Sequence, residues 1–147
     1  MLHRNQTLRS QPTPDPSEPR QTVMVVEDDT ANRTLFRFWL GTRGYRVIEA
    51  VNGREALEAA KQERPDLILM DLSLPVMDGF VTMRRIREIR ELREVPIVVI
   101  TSFSETDCGA EAAAAGCNEF VGKPVEFERL DKLLRVLMDS APSSDQG

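Results

Sequence analysis

Five short apolar runs, four of them closed by a polar residue or glycine and four leading directly into helical periodicity, constrain this chain more than any other feature. They are Thr22-Val-Met-Val-Val-Glu, Tyr45-Arg-Val-Ile-Glu-Ala, Asp66-Leu-Ile-Leu-Met-Asp, Pro96-Ile-Val-Val-Ile-Thr and Glu119-Phe-Val-Gly. The first, third and fourth are continuously apolar, as strands covered on both faces must be; the second alternates and is half-exposed. Between and after them lie helical patterns. Thr30 to Arg43 places Leu35, Phe36, Trp39 and Leu40 on one face, and Gly44 stops it at a left-handed cap position. Asn52 caps a helix from about Gly53 to Glu63, which ends before Pro65. Gly79 to Arg93 spaces Phe80, Met83, Ile86 and Ile89 by threes. Glu105 to Ala115 is Ala-rich and closed by Gly116. Glu126 to Met138 carries Phe127, Leu130, Leu133, Leu134 and Leu137 at core spacing.

Strands alternating with helices predict an α/β fold: a five-stranded parallel sheet, doubly wound, with right-handed crossovers and helices on both faces. A chain of 147 residues is a one-domain length,. Residues 1–21 hold four prolines among polar residues and read as a disordered arm. Residues 22–138 form the folded domain, and 139–147 read as a flexible tail. A net charge of −5 argues against direct nucleic-acid binding,. No apolar run is long enough for membrane insertion, and the N-terminus has no signal-like stretch. Two cysteines, Cys108 and Cys117, suit a reducing compartment, so a cytoplasmic location is expected.

In doubly wound sheets, ligands bind in the crevice at the carboxyl ends of the strands. The first strand ends in Glu27-Asp28-Asp29 and the third in Asp71. Carboxylates gathered there repel by about 4 kcal/mol per close pair at an effective dielectric near 20. They need a cation or must take up protons, and hard oxygen ligands suit Mg²⁺. The fourth strand closes with Thr101-Ser102, a hydroxyl; the fifth is followed by Lys123-Pro124, an ammonium. A nucleophilic carboxylate, an acid pair, a hydroxyl and a lysine can together carry out phosphoryl transfer to the carboxylate.

At this point the chain resembles a family, the receiver domains of two-component response regulators, over about residues 22–138. Val25-Val-Glu-Asp-Asp29 is similar to the family's acidic pair, placed at Glu27 and Asp28. Asp71-Leu-Ser-Leu-Pro-Val-Met-Asp-Gly79 is similar to its phosphoacceptor loop. Thr101 and Lys123-Pro124 match its hydroxyl and lysine positions, and Phe120 its aromatic switch position. The resemblance implies a flavodoxin-like fold of single-domain type and phosphorylation of Asp71 by a sensor histidine kinase or a histidine phosphotransfer protein. It implies Mg²⁺ held by Asp28, Asp71 and the backbone carbonyl of Ser73, with Glu27 acting through water. The protein would catalyse only its own phosphorylation and dephosphorylation. Thr101 and Phe120 would switch the face formed by the fourth helix, fifth strand and fifth helix, which would meet a downstream protein target. The Lys–Pro bond is typically cis in this family. Only nine residues follow Met138, so the chain is expected to be either a stand-alone receiver, the favoured reading, or a receiver cut from a longer protein.

Each residue also has a plainer reading. In it the acids stand apart as solvated loop carboxylates, Thr101 simply finishes a strand, Lys123 is a turn lysine, and Phe120 is core. Asp29 reads as a helix-leading acid. Pro75 and Gly79 read as loop-shaping residues. Arg84, Arg85, Arg87, Arg90 and Arg93, interleaved with Glu88, Glu91 and Glu94, read as a solvated, salt-bridged helix face. Trp39 reads as core, the cysteines as ordinary small residues, and His3 as non-catalytic. The Ala-rich helix buries little side chain and contains Gly109, so loose anchoring is expected. Ser73, Ser102 and Phe103 offer no acid or amide to orient a hydrolytic water, so slow dephosphorylation is expected.

Two other functions compete. A haloacid-dehalogenase-type phosphatase also uses an aspartyl nucleophile beside Mg²⁺, but it needs a second Asp two residues on, where this chain has Ser73. A pseudo-receiver would have lost the chemistry, whereas every chemical position here is filled.

Overall fold

The computed structural model describes residues 20–72, 79–102 and 105–140, the side chains of 105–108 and 140 excepted. In chain order the elements are β1 (Thr22–Val26), α1 (Thr30–Thr42), β2 (Arg46–Ala50), α2 (Gly53–Gln62), β3 (Leu67–Asp71) and α3 (Gly79–Glu88). A 3₁₀ turn (Arg90–Leu92), β4 (Ile97–Thr101), α4 (Glu105–Ala115), β5 (Glu119–Gly122) and α5 (Phe127–Ser140) follow. The five strands form one parallel sheet in the order β2-β1-β3-β4-β5.

Alternation along each strand divides the core between the two faces of the sheet. Met24, Val26, Ile68, Met70, Ile97 and Val99 point to one side, against Ala56, Leu57, Met83, Ile86, Ala112 and Ala115 of α2, α3 and α4. Val23, Val25, Leu67, Leu69, Val98 and Ile100 point to the other, against Phe36, Leu40, Leu130 and Leu134 of α1 and α5. Phe127 joins α5 to α1, its ring centroid 5.0 Å from Trp39 and 5.9 Å from Phe36. Caps fall where the sequence puts them. Asp29 accepts from the Asn32 amide, Asn52 accepts from the Glu55 amide, and Gly44 follows α1 with φ of +90°.

Four expectations need correction. The helix expected over Gly79 to Arg93 stops at Glu88; Ile89 is extended and a 3₁₀ turn follows. Continued, it would turn Leu92 about 120° away from the face of Ile86, whereas the break lets Leu92 and Val95 bury to 1% exposure. Leu35 does not share the buried stripe of α1. It lies about 140° round the helix from Leu40 and is 49% exposed, beside Phe38 at 70%. The last helix runs to Ser140, two residues into the span read as tail, because Met138 still packs into the core at 4% exposure.

The fourth correction concerns Arg87. Instead of facing solvent in a salt-bridged stripe, its guanidinium donates to the carbonyls of Leu92, Arg93, Val95 and Gly116 and to Asn118 Oδ1. Asn118 Oδ1 also accepts the Ile97 amide at 2.8 Å. Arg87 therefore ties α3 to the start of β4 and the end of α4. Burial pulls its guanidinium below the usual value. The 3₁₀ turn that breaks the helix, with the residues leading from it to β4, supplies three of the carbonyls that hold it.

Candidate functional site

Sheet register builds the site. Val26 lies opposite Met70 on neighbouring strands, so Glu27 and Asp71 emerge side by side at the carboxyl edge. Asp71 lies opposite Ile100, which brings Thr101 to the same edge on the other side. Thr101 in turn lies opposite Gly122, and the Lys123 amide donates to the Thr101 carbonyl at 2.9 Å. Four strand ends thus converge. Glu27, Asp71 and Thr101 are buried, at 3%, 4% and 0% exposure, while Asp28 is exposed.

Carboxylate oxygens of Glu27, Asp28 and Asp71 lie within 4.8 Å of one another. Lys123 Nζ stands 3.3 Å from Asp71 Oδ2 and 3.6 Å from Glu27 Oε1. The peptide bond from Lys123 to Pro124 is cis. Beneath the carboxyls the floor is apolar, made by Val25, Phe36, Leu69 and Ile100. Burial pushes the Glu27 carboxyl up to about 7; the Asp29 amide, which donates to it at 3.1 Å, opposes this, and the charge of Asp71 adds to it. Burial also works against the Lys123 charge, but Asp71 and Glu27 outweigh it and hold the ammonium above its usual value.

This donor set suits a small hard cation. Among the described residues every donor of the cluster is oxygen, Lys123 pairs with two of the three carboxyls, and Asp28 lies open to solvent, where waters can complete a shell,. Among the sequence-predicted residues, Glu27, Asp28, Asp71, Thr101 and Lys123 come together. Phe120 lies half-buried in β5, packed against the core beside α4. Ser73 and Phe103 lie outside the described residues.

Sequence reasoning missed two residues that hold the acidic turn. Arg33 Nη1 donates to the Glu27 carbonyl at 2.9 Å and to that of Asp28 at 3.5 Å, and Arg33 Nε pairs with Glu49 Oε1 at 3.2 Å. An arginine one turn into a helix that follows an acidic turn was the available signal. It was unreadable without knowing that β2 brings Glu49 alongside.

Comparison with known proteins agrees with the fold. The response regulator receiver domain profile matches residues 23–135. The polar-differentiation response regulator DivK of Brucella anthropi is 34% identical over 121 residues, covering 82% of this chain and 98% of DivK. The receiver domain of sensor histidine kinase PA1611 from Pseudomonas aeruginosa PAO1, solved with a magnesium ion coordinated in its active site cleft, superposes with a TM-score of 0.78. That domain is 34% identical, with 83% of this chain and 100% of the other covered. Chemotaxis response regulator CheY4 of Vibrio cholerae superposes with a TM-score of 0.77 at 31% identity, covering 81% of this chain and 99% of CheY4.

Proposed function

The chain belongs to the response regulator receiver family of two-component systems, and from that premise we propose that Asp71 is its phosphoryl acceptor. Phosphorylation-based signalling is the function of this family. One observation carries the assignment: among the clustered carboxyls, Asp71 combines burial, a lysine ammonium at 3.3 Å and a central position between the acid pair and Thr101. In this reading an Asp71 oxygen bonds to phosphorus as the bond to the donor histidine nitrogen breaks. Lys123 and the Thr101 hydroxyl each take up charge on a phosphoryl oxygen.

Asp28 and Asp71 would hold Mg²⁺ directly, Glu27 through water, with the Ser73 carbonyl completing the protein ligands. Bound there, the ion would offset the charge of the carboxylates and the incoming phosphate. Phosphorylation adds about −1.5 to −2 charges to the site. Thr101 and Phe120 form the switch pair, altering the face made by α4, β5 and α5, through which the chain meets a downstream protein. The donor is a sensor histidine kinase or a histidine phosphotransfer protein, and the reaction is placed in the cytoplasm. The chain's only catalysis is its own phosphorylation and dephosphorylation, and residues 22–140 are the receiver unit, flanked by the arm 1–21 and a tail after α5. No helix of the described residues is long and apolar enough to cross a membrane.

Incubation with Mg²⁺ and acetyl phosphate tests this. The protein should gain the mass of one phosphate at Asp71, and the Asp71→Asn variant should gain none. A wild-type chain that stays unmodified overturns the assignment.

A further inference from the structure

We propose that Arg33 is the positioning residue that holds the Glu27–Asp28 acid pair in its metal-binding arrangement, an inference that rests on the reading of the site given above. Only Glu27, Asp28 and Asp29 connect β1 to α1. Two of the three clustered carboxyls therefore stand on a short turn, and Asp28 has no core around it.

Several bonds fix that turn. The Glu27 amide donates to the Ala50 carbonyl at 3.0 Å, which continues the β1–β2 ladder by one residue. The Asp29 amide donates to the Glu27 carboxylate, and the Asp29 carboxylate caps the Asn32 amide at 2.8 Å. The Glu27 and Asp28 carbonyls meet the Arg33 side chain. That side chain is 15% exposed and anchored on β2 through Glu49, which also pairs with Arg37 at 3.5 Å. The guanidinium thus braces the acidic turn from α1 on one side and from β2 on the other.

Position rather than charge is the operative property. The Arg33 guanidinium pairs with Glu49, while the charges acting on the Glu27 carboxyl are those of Asp71 and Lys123 and not that of Arg33. Bracing of this kind needs a planar fork. Lysine has one ammonium on a flexible stem and cannot span a carboxylate and two carbonyls in fixed directions. Groups that orient metal ligands from behind typically cost 10- to 100-fold in metal affinity when removed.

The test is a Mg²⁺ titration of the full unphosphorylated chain, followed by amide chemical shifts, for wild type, Arg33→Lys, Arg33→Ala and Glu49→Gln. Arg33→Lys and Arg33→Ala should both weaken Mg²⁺ binding about tenfold, and Glu49→Gln should weaken it by less. If Arg33→Ala fails to fold, the Lys and Gln variants, which keep charge and shape respectively, carry the comparison. Arg33→Lys binding Mg²⁺ as tightly as wild type overturns the proposal, even if its metal-free melting temperature falls, because that pattern is a purely structural role. A wild-type chain that binds no Mg²⁺ overturns the site reading itself, and this inference with it.

Discussion

Arg87 reaches from the last turn of α3 to the carbonyl of Gly116, which accepts from Nη2 at 2.7 Å and from Nε at 3.1 Å. Gly116 has φ of +119°, and a Cβ there would fall 2.8 Å from Arg87 Cγ, so glycine is needed for both the backbone turn and the approach,. Replacing Arg87 with Met keeps the packing volume and strands the carbonyls it satisfies. Urea unfolding of Arg87→Met should show a loss of about 2–4 kcal/mol. Arg87→Lys should recover less than half of that, since one ammonium cannot reach every acceptor. Wild-type stability in Arg87→Met would contradict the clamp.

Glu27 sets a pH dependence whose sign follows from its raised carboxyl. Burial first, with Asp71 adding and the Asp29 amide opposing, moves it from 4.5 to about 7 in the folded chain. Between those values the folded chain holds a proton that the unfolded chain releases. Stability of the metal-free protein is therefore highest below pH 4.5 as far as this group is concerned, and falls as pH rises towards 7. Glu27→Gln should flatten that slope in thermal melts across pH 5–8, and a slope unchanged by the substitution would assign it elsewhere. Mg²⁺ competes with the same proton, so its affinity for wild type should rise over this range.

Gly79 touches the end of β3, the strand that carries Asp71. A Cβ on it would lie 2.8 Å from Leu72 Cδ2, 3.1 Å from Leu72 Cα and 3.3 Å from the Asp71 carbonyl oxygen. The Leu72 side chain is 5% exposed and has little room to retreat. Gly79→Ala should cost about 1–3 kcal/mol from overpacking and slow acetyl phosphate labelling of Asp71 by displacing its backbone. Labelling at the wild-type rate would show that the displacement does not reach the carboxylate.

The strands were legible because a strand covered on both faces must be apolar throughout. Thr22–Val26, Leu67–Asp71 and Ile97–Thr101 are buried at every residue. The polar residue closing each run then marks the crevice without further information. Exposed helix surface was less legible. Leu35 reads as core by spacing, but whether a flank of α1 is covered depends on where α5 lies, and α5 covers Trp39 instead. Arg87 and Arg33 sit in charge patterns indistinguishable from solvated ones, because most of their acceptors are backbone carbonyls, which carry no sequence signature. The break after Glu88 was hidden for a related reason: polar residues continue a helical pattern whether or not the backbone does.

Asp71 and Lys123 are 52 residues apart along the chain, and their meeting depends on β4 and β5 being laid down in order after β3. During synthesis, the aspartate and both of its acidic neighbours leave the ribosome well before the lysine does. A nascent chain halted at β4 would present three carboxyls with no ammonium beside them. The assembled charge arrangement therefore belongs only to the finished sheet.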